Sequence, residues 1–166
     1  MKYLKIFLIF FSVIFKTFGQ TKSGQIVLQK NASLSWTIQE FKESEHNVEI
    51  CKSEFNWDYI CKIDGKPWFG TDLGMTKPKN QLKKLILNLN NSQIELEVAN
   101  MFNPNYSGSL SGHQFLLKKE GEFYKLYGFF SDGAGTYTVH WKIIKNSSVR
   151  EVISNEESYF FWQNEN

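Results

Sequence analysis

Residues 83–99 constrain the fold of this chain more than any other stretch. Leu85, Leu87 and Leu89 alternate with Ile86 and Asn88, and Asn90-Asn91-Ser92 then breaks the run. Ile94, Leu96 and Val98 follow, alternating with Glu95 and Glu97. Alternation with period two on both sides of a turn predicts a hairpin with one buried and one solvated face. Glu95 and Glu97 read as that solvated face rather than as a catalytic pair.

The same pattern recurs along the chain. Residues 113–119, 122–130, 136–144 and 149–153 read as an antiparallel meander. Its turns are Glu120-Gly121, the glycine-rich run Ser131-Asp132-Gly133-Ala134-Gly135, and Asn146-Ser147-Ser148. In the third of these strands Tyr137, Val139, Trp141 and Ile143 share the expected core face, and Thr138, His140 and Lys142 the expected wet one. Residues 25–30, 33–42, 47–54 and 59–63 complete the set. Pro67 marks an edge or irregular segment, and residues 76–84 could hold one helical turn at most. About nine short strands predict an all-β fold, an antiparallel β-sandwich with a closed β-barrel as the alternative.

Residues 1–19 read differently. Lys2 and Lys5 precede an apolar run over residues 6–15, and Thr17-Phe18-Gly19 supplies a small-x-small cleavage site. This is the pattern of a secretory signal peptide, too short for a membrane span of about 20 residues. Cleavage after Gly19 leaves residues 20–166 as a single domain with no membrane span, secreted or periplasmic. It also removes Lys2, Lys5 and Lys16, leaving 16 basic against 17 acidic residues, with Arg150 the one arginine. A near-neutral chain almost without arginine lacks the electrostatic footprint of a nucleic-acid binder.

Cys51 and Cys61 are the only cysteines. An oxidising compartment favours pairing them, and closing so short a loop contributes about 3 kcal/mol. The ten-residue spacing fits neither a CxxC redox motif nor a zinc knuckle. The two are symmetric about Asn56, so a hairpin turning at Phe55-Asn56-Trp57-Asp58 is expected to place them directly opposite each other.

Motifs for catalysis are missing. The chain has no HExxH, P-loop or strand-linked GxGxxG, and Gly108-Ser109-Leu110-Ser111-Gly112 places Leu110 where a nucleophile elbow needs serine. No catalytic residue, metal or cofactor is called for. His113 and His140 could meet across neighbouring strands, but nothing in their spacing asks for zinc. Asp58, Asp64 and Asp72 gather around the cysteine hairpin, where turn chemistry explains them.

Binding residues are easier to nominate. Trp57 is expected at the hairpin tip, Trp68 in an irregular segment, and Tyr106 in the long loop 100–112. Exposed aromatics on a β scaffold stack on sugars or anchor protein interfaces. Asp132, Gly133 and Gly135 form a tight loop that a partner could contact. Residues 131–137 (SDGAGTY) resemble loops of small periplasmic lysozyme inhibitors; the likeness spans seven residues and carries over no site. Four N-x-Ser triplets, at Asn31, Asn90, Asn105 and Asn146, are glycosylation candidates or turn composition. The tail Tyr159-Phe160-Phe161-Trp162 is expected to add a strand or plug the core.

The functional expectation is an exported non-catalytic β-domain that binds another protein, as an enzyme inhibitor or immunity-type partner. A carbohydrate-binding module and a motif-free carboxylate hydrolase are the alternatives.

Overall fold

A computed structural model describes residues 21–71, 74–131 and 133–165. Residues 1–19, read from the sequence as a signal peptide, and Asp72 and Asp132 lie outside the described residues. The strands in chain order are β1 (Thr21–Gln29), β2 (Ala32–Glu40), β3 (Val48–Lys52), β4 (Asp58–Ile63), β5 (Lys66–Pro67), β6 (Asn80–Leu89), β7 (Ser92–Glu95), β8 (Phe115–Glu120), β9 (Phe123–Phe130), β10 (Tyr137–Ile144) and β11 (Ser147–Ser154). Among the described residues they form three antiparallel sheets, ordered β1-β2-β6-β7, β11-β10-β9-β8 and β3-β4-β5. The two four-stranded sheets stack as a sandwich, and neither closes into a barrel.

Alternation explains the core. Leu34, Leu85 and Leu87 of the first sheet meet Leu126, Phe130, Tyr137, Val139 and Trp141 of the second in one buried cluster. Each buried side chain of this size contributes about 1.5–3 kcal/mol. Leu82 also points inward, although it sits three residues before Leu85. A bulge between Thr37 and Ile38 sets Thr37 opposite Lys84 but Ile38 opposite Leu82, and one extra residue resets the phase of a strand. Residues 80–84 are therefore strand, not the helical turn the sequence allowed.

Polar side chains seal both open sides of the sandwich. Gln29 Nε2 donates to the Leu117 carbonyl at 2.8 Å. Opposite, Ser148 Oγ donates to the Glu95 carbonyl at 2.7 Å, Arg150 donates to Ala99 O and pairs with Glu97, and Trp141 Nε1 donates to Glu97 O.

The expected wet face of β10 is not wet. Thr138 is fully buried and His140 is 4% exposed. The C-terminal segment forms a 3-10 helix, Glu157–Glu165, and lies across the outer face of the second sheet, with Trp162 fully buried and stacked on Tyr127. The tail neither adds a strand nor plugs the sandwich core.

Residues 41–79, between β2 and β6, carry the small third sheet. It has its own core of Ile60, Ile63, Trp68 and Phe102, with Phe41 and Val48 packed against it. Pro67 sits on the edge strand β5, opposite Lys62, where its missing N–H costs the ladder nothing.

Candidate functional site

The hairpin β3–β4 and its turn carry four exposed large hydrophobic side chains, Ile50, Phe55, Trp57 and Tyr59. Cys51 and Cys61 are joined, with Cα atoms 5.7 Å apart. They are not directly opposite. A bulge sets Glu49 against Lys62 and Ile50 against Ile60, so Cys51 faces Tyr59 and Cys61 is the extra residue of the bulge. The disulfide thus crosses the ladder diagonally. The turn is closed locally as well: Ser53 N–H donates to Trp57 O at 2.9 Å, Trp57 N–H to Ser53 Oγ at 3.1 Å, and Asn56 takes a left-handed φ of 62°. Asparagine tolerates that conformation better than most residues.

At the tip, Phe55 is 75% and Trp57 69% exposed. Their ring centroids are 5.7 Å apart with planes inclined at 35°. Tyr59 and Ile50 are exposed behind them. The aspartates of this region are occupied. Asp58 pairs with Lys52 at 3.0 Å. Asp64 accepts from His46 Nδ1 at 2.7 Å and from Asn47 N–H at 2.9 Å. Burial raises the Asp64 carboxyl, but the His46 and Asn47 hydrogen bonds and the His46 charge outweigh it, so its pKa lies below the ordinary value. Asp72 lies outside the described residues.

Trp68 does not join the exposed surface. It is buried in the small core, and its Nε1 donates to Ile60 O at 3.0 Å. The sequence placed it in an irregular segment; Phe102, distant in sequence, covers it edge-on at 6.3 Å.

A second cluster forms where three loops converge at one end of the sandwich. Gly70 N–H donates to Gly135 O, Asn103 Nδ2 to Gly70 O, and Ser131 N–H to Pro104 O. Gly135 is buried, and a Cβ there would lie 2.5 Å from Thr71 N; the glycine serves this contact, whereas Gly133 is exposed with φ 54°. Gln114 ties the loop 100–112 from within. Its Nε2 donates to Pro104 O and Phe129 O, and its Oε1 accepts from Ser111 N–H and Asn105 Nδ2. This scaffold presents Tyr106, 70% exposed, with Lys79 Nζ 5.8 Å above its ring. Lys79 and Tyr106 border a small recess with Thr76, Lys77 and Asn105.

The structure therefore brings Tyr106, Gly133 and Gly135 to one loop cluster, and leaves Trp57 on the hairpin beside Phe55, which the sequence reading treated only as a turn residue. The signal for Phe55 was present: two aromatics flank a turn asparagine inside a ten-residue disulfide loop. His113 is exposed and His140 buried beneath the tail. No group of three His, Cys, Asp or Glu side chains gathers to hold a metal among the described residues, and no helix among them is long and apolar enough to cross a membrane. No family model, curated protein or solved structure matches the chain.

Proposed function

We propose that this chain is an exported, non-catalytic binding domain that engages a partner protein through the disulfide-closed hairpin tip. The observation that carries this reading is the exposed pair Phe55 and Trp57 on a cross-linked turn. Large aromatic rings left in water forfeit burial that a partner restores, and anchors of this type dominate interface energetics. The disulfide and the Ser53 hydrogen bonds order the tip before it binds, which lowers the entropic cost of association. A disulfide also suits an oxidising compartment, in line with export.

The glycan reading has less support. It rested on Trp57, Trp68 and Tyr106 as a platform; Trp68 is buried, and the 35° inclination of Phe55 to Trp57 departs from the flat surface a pyranose ring stacks on. Tyr106 and the Gly133 loop supply a neighbouring rigid surface for a partner, as an inhibitor or immunity-type domain requires.

The test is paired affinity capture from envelope and culture-supernatant extracts, read by mass spectrometry. Tagged residues 20–166 serve as bait beside the Phe55→Ser/Trp57→Ser variant. A stoichiometric protein retained by the first and lost by the second supports the reading. Equal retention, or none on either bait, contradicts it.

A further inference from the structure

The contact between the second sheet and the C-terminal segment is built around a buried histidine. The His140 ring lies between Tyr127 of β9, 4.8 Å away, and Tyr159 and Phe161 of the tail, each 6.0 Å away. Its Nε2–H donates to the Tyr159 carbonyl at 3.0 Å. Three residues on, Trp162 Nε1 donates to Thr138 Oγ1 at 3.1 Å, and Thr138 Oγ1 donates to Gly128 O. One imidazole and one indole therefore hold the segment. The chain leading into it, Asn155 and Glu156, is exposed, and Glu156 bonds locally, its N–H donating to Ser154 Oγ and its carbonyl accepting from Tyr159 N–H.

We propose that residues 157–162 are a pH-released cover, which lifts off the outer face of the second sheet when His140 is protonated.

The charged surroundings fit a one-proton switch. From β9, Lys125 faces the imidazole; from β11, Glu151 does, paired with Lys125 at 3.3 Å. Tyr127 hydrogen-bonds Glu120 of β8 at 3.4 Å. Burial and Glu120 push the Tyr127 phenol up to about 12, so it stays neutral. Tyr159 contributes its backbone carbonyl from the tail. Burial, the largest influence, holds His140 below its ordinary value of 6.5; Lys125 adds to this, while the Tyr159 carbonyl and Glu151 oppose it. In the released state the imidazole is solvated and takes up its proton near the ordinary value. Below that pH the released state binds more protons than the docked one, so acid favours release. Docking weakens by up to about tenfold per pH unit between the docked and released pKa values. The inference does not depend on the hairpin reading, because the tail covers a different surface.

The test uses the full mature chain with 5-fluorotryptophan at its five tryptophans. The Trp162 fluorine resonance is assigned with Trp162→Phe and followed from pH 7.5 to 4.5. The expected result is that the Trp162 signal moves to a solvated position below about pH 6.5, while the core Trp36 and Trp141 signals stay put. In His140→Gln, which keeps a donor for Tyr159 O, Trp162 stays docked over the same range. Lys125→Gln removes a neighbouring cation and is expected to hold the tail to lower pH, which keeps the test open if His140→Gln does not fold. A Trp162 signal that moves only together with Trp141, or that moves alike in all three proteins, overturns the proposal.

Discussion

Cys51 and Cys61 are bonded across a bulge rather than across a register pair, since Cys51 faces Tyr59 and Cys61 has no partner in the ladder. A diagonal link opposes sliding of β3 against β4 and splaying of the strands together. Replacing both cysteines with serine is expected to cost about 2–3 kcal/mol in urea unfolding. The sandwich core should stay intact, since it is a separate cluster. Protease cleavage within residues 52–58 of an otherwise folded protein is the accompanying readout.

Gln114 accounts for the shape of the loop 100–112. All of its hydrogen-bonding capacity toward that loop is used, on Pro104, Phe129, Ser111 and Asn105. Gln114→Ala removes all four bonds and leaves Pro104 O with Ser131 N–H; at about 0.5–1.5 kcal/mol each, stability should fall by about 2–4 kcal/mol. Amide exchange should accelerate first in residues 103–111. An unchanged midpoint in urea contradicts this role.

Gly135→Ala tests the convergence of the loops. A methyl group 2.5 Å from Thr71 N and 2.8 Å from its Cα cannot be accommodated without moving backbone. A loss of about 1–3 kcal/mol is expected, typical of overpacking. Faster exchange at Gly70 should accompany it, because its N–H donates to Gly135 O. Gly133→Ala, at an exposed position, should be milder and confined to the cost of its positive φ.

The His46–Asp64 pair gives the acid side of the stability profile. The folded-state pKa of Asp64 is lowered from its ordinary 3.8, so its contribution is fully present above that value and is lost as pH falls through the folded value. Asp64→Asn should flatten the corresponding step in stability measured between pH 2 and 5, and leave the tail transition of His140 unaffected.

Much of the sandwich was legible because alternation reports directly on a half-buried strand. Leu85, Leu87 and Leu89, and Tyr137, Val139 and Trp141, all face the core as their spacing requires. The outer face of β10 was misread for a physical reason. Thr138 and His140 are polar at alternate positions, and that pattern is the same whether water or a tail 19–24 residues downstream covers them. Trp68 was misplaced because the residue that buries it, Phe102, comes from a distant loop. The bulge at Cys61 left no trace, since one inserted residue does not alter composition. At the candidate site, Trp57 was legible as a turn aromatic and Tyr106 as a loop aromatic. The role of Gln114 was not, because a lone glutamine before a strand carries no signal of the four groups it joins. The N-x-Ser triplets at Asn31, Asn90 and Asn146 do sit at hairpin turns, and Asn105 spends its side-chain amide on Gln114.

The central claim is that the hairpin tip is the contact with a protein partner. Its most direct test is calorimetric titration of the captured partner into the mature protein and into Trp57→Ala, with Val149→Ala on β11 as an exposed control. The account predicts a loss of about thirtyfold or more for Trp57→Ala, the scale of an interface hot spot, and unchanged affinity for Val149→Ala. Equal affinities for the wild type and Trp57→Ala would contradict it.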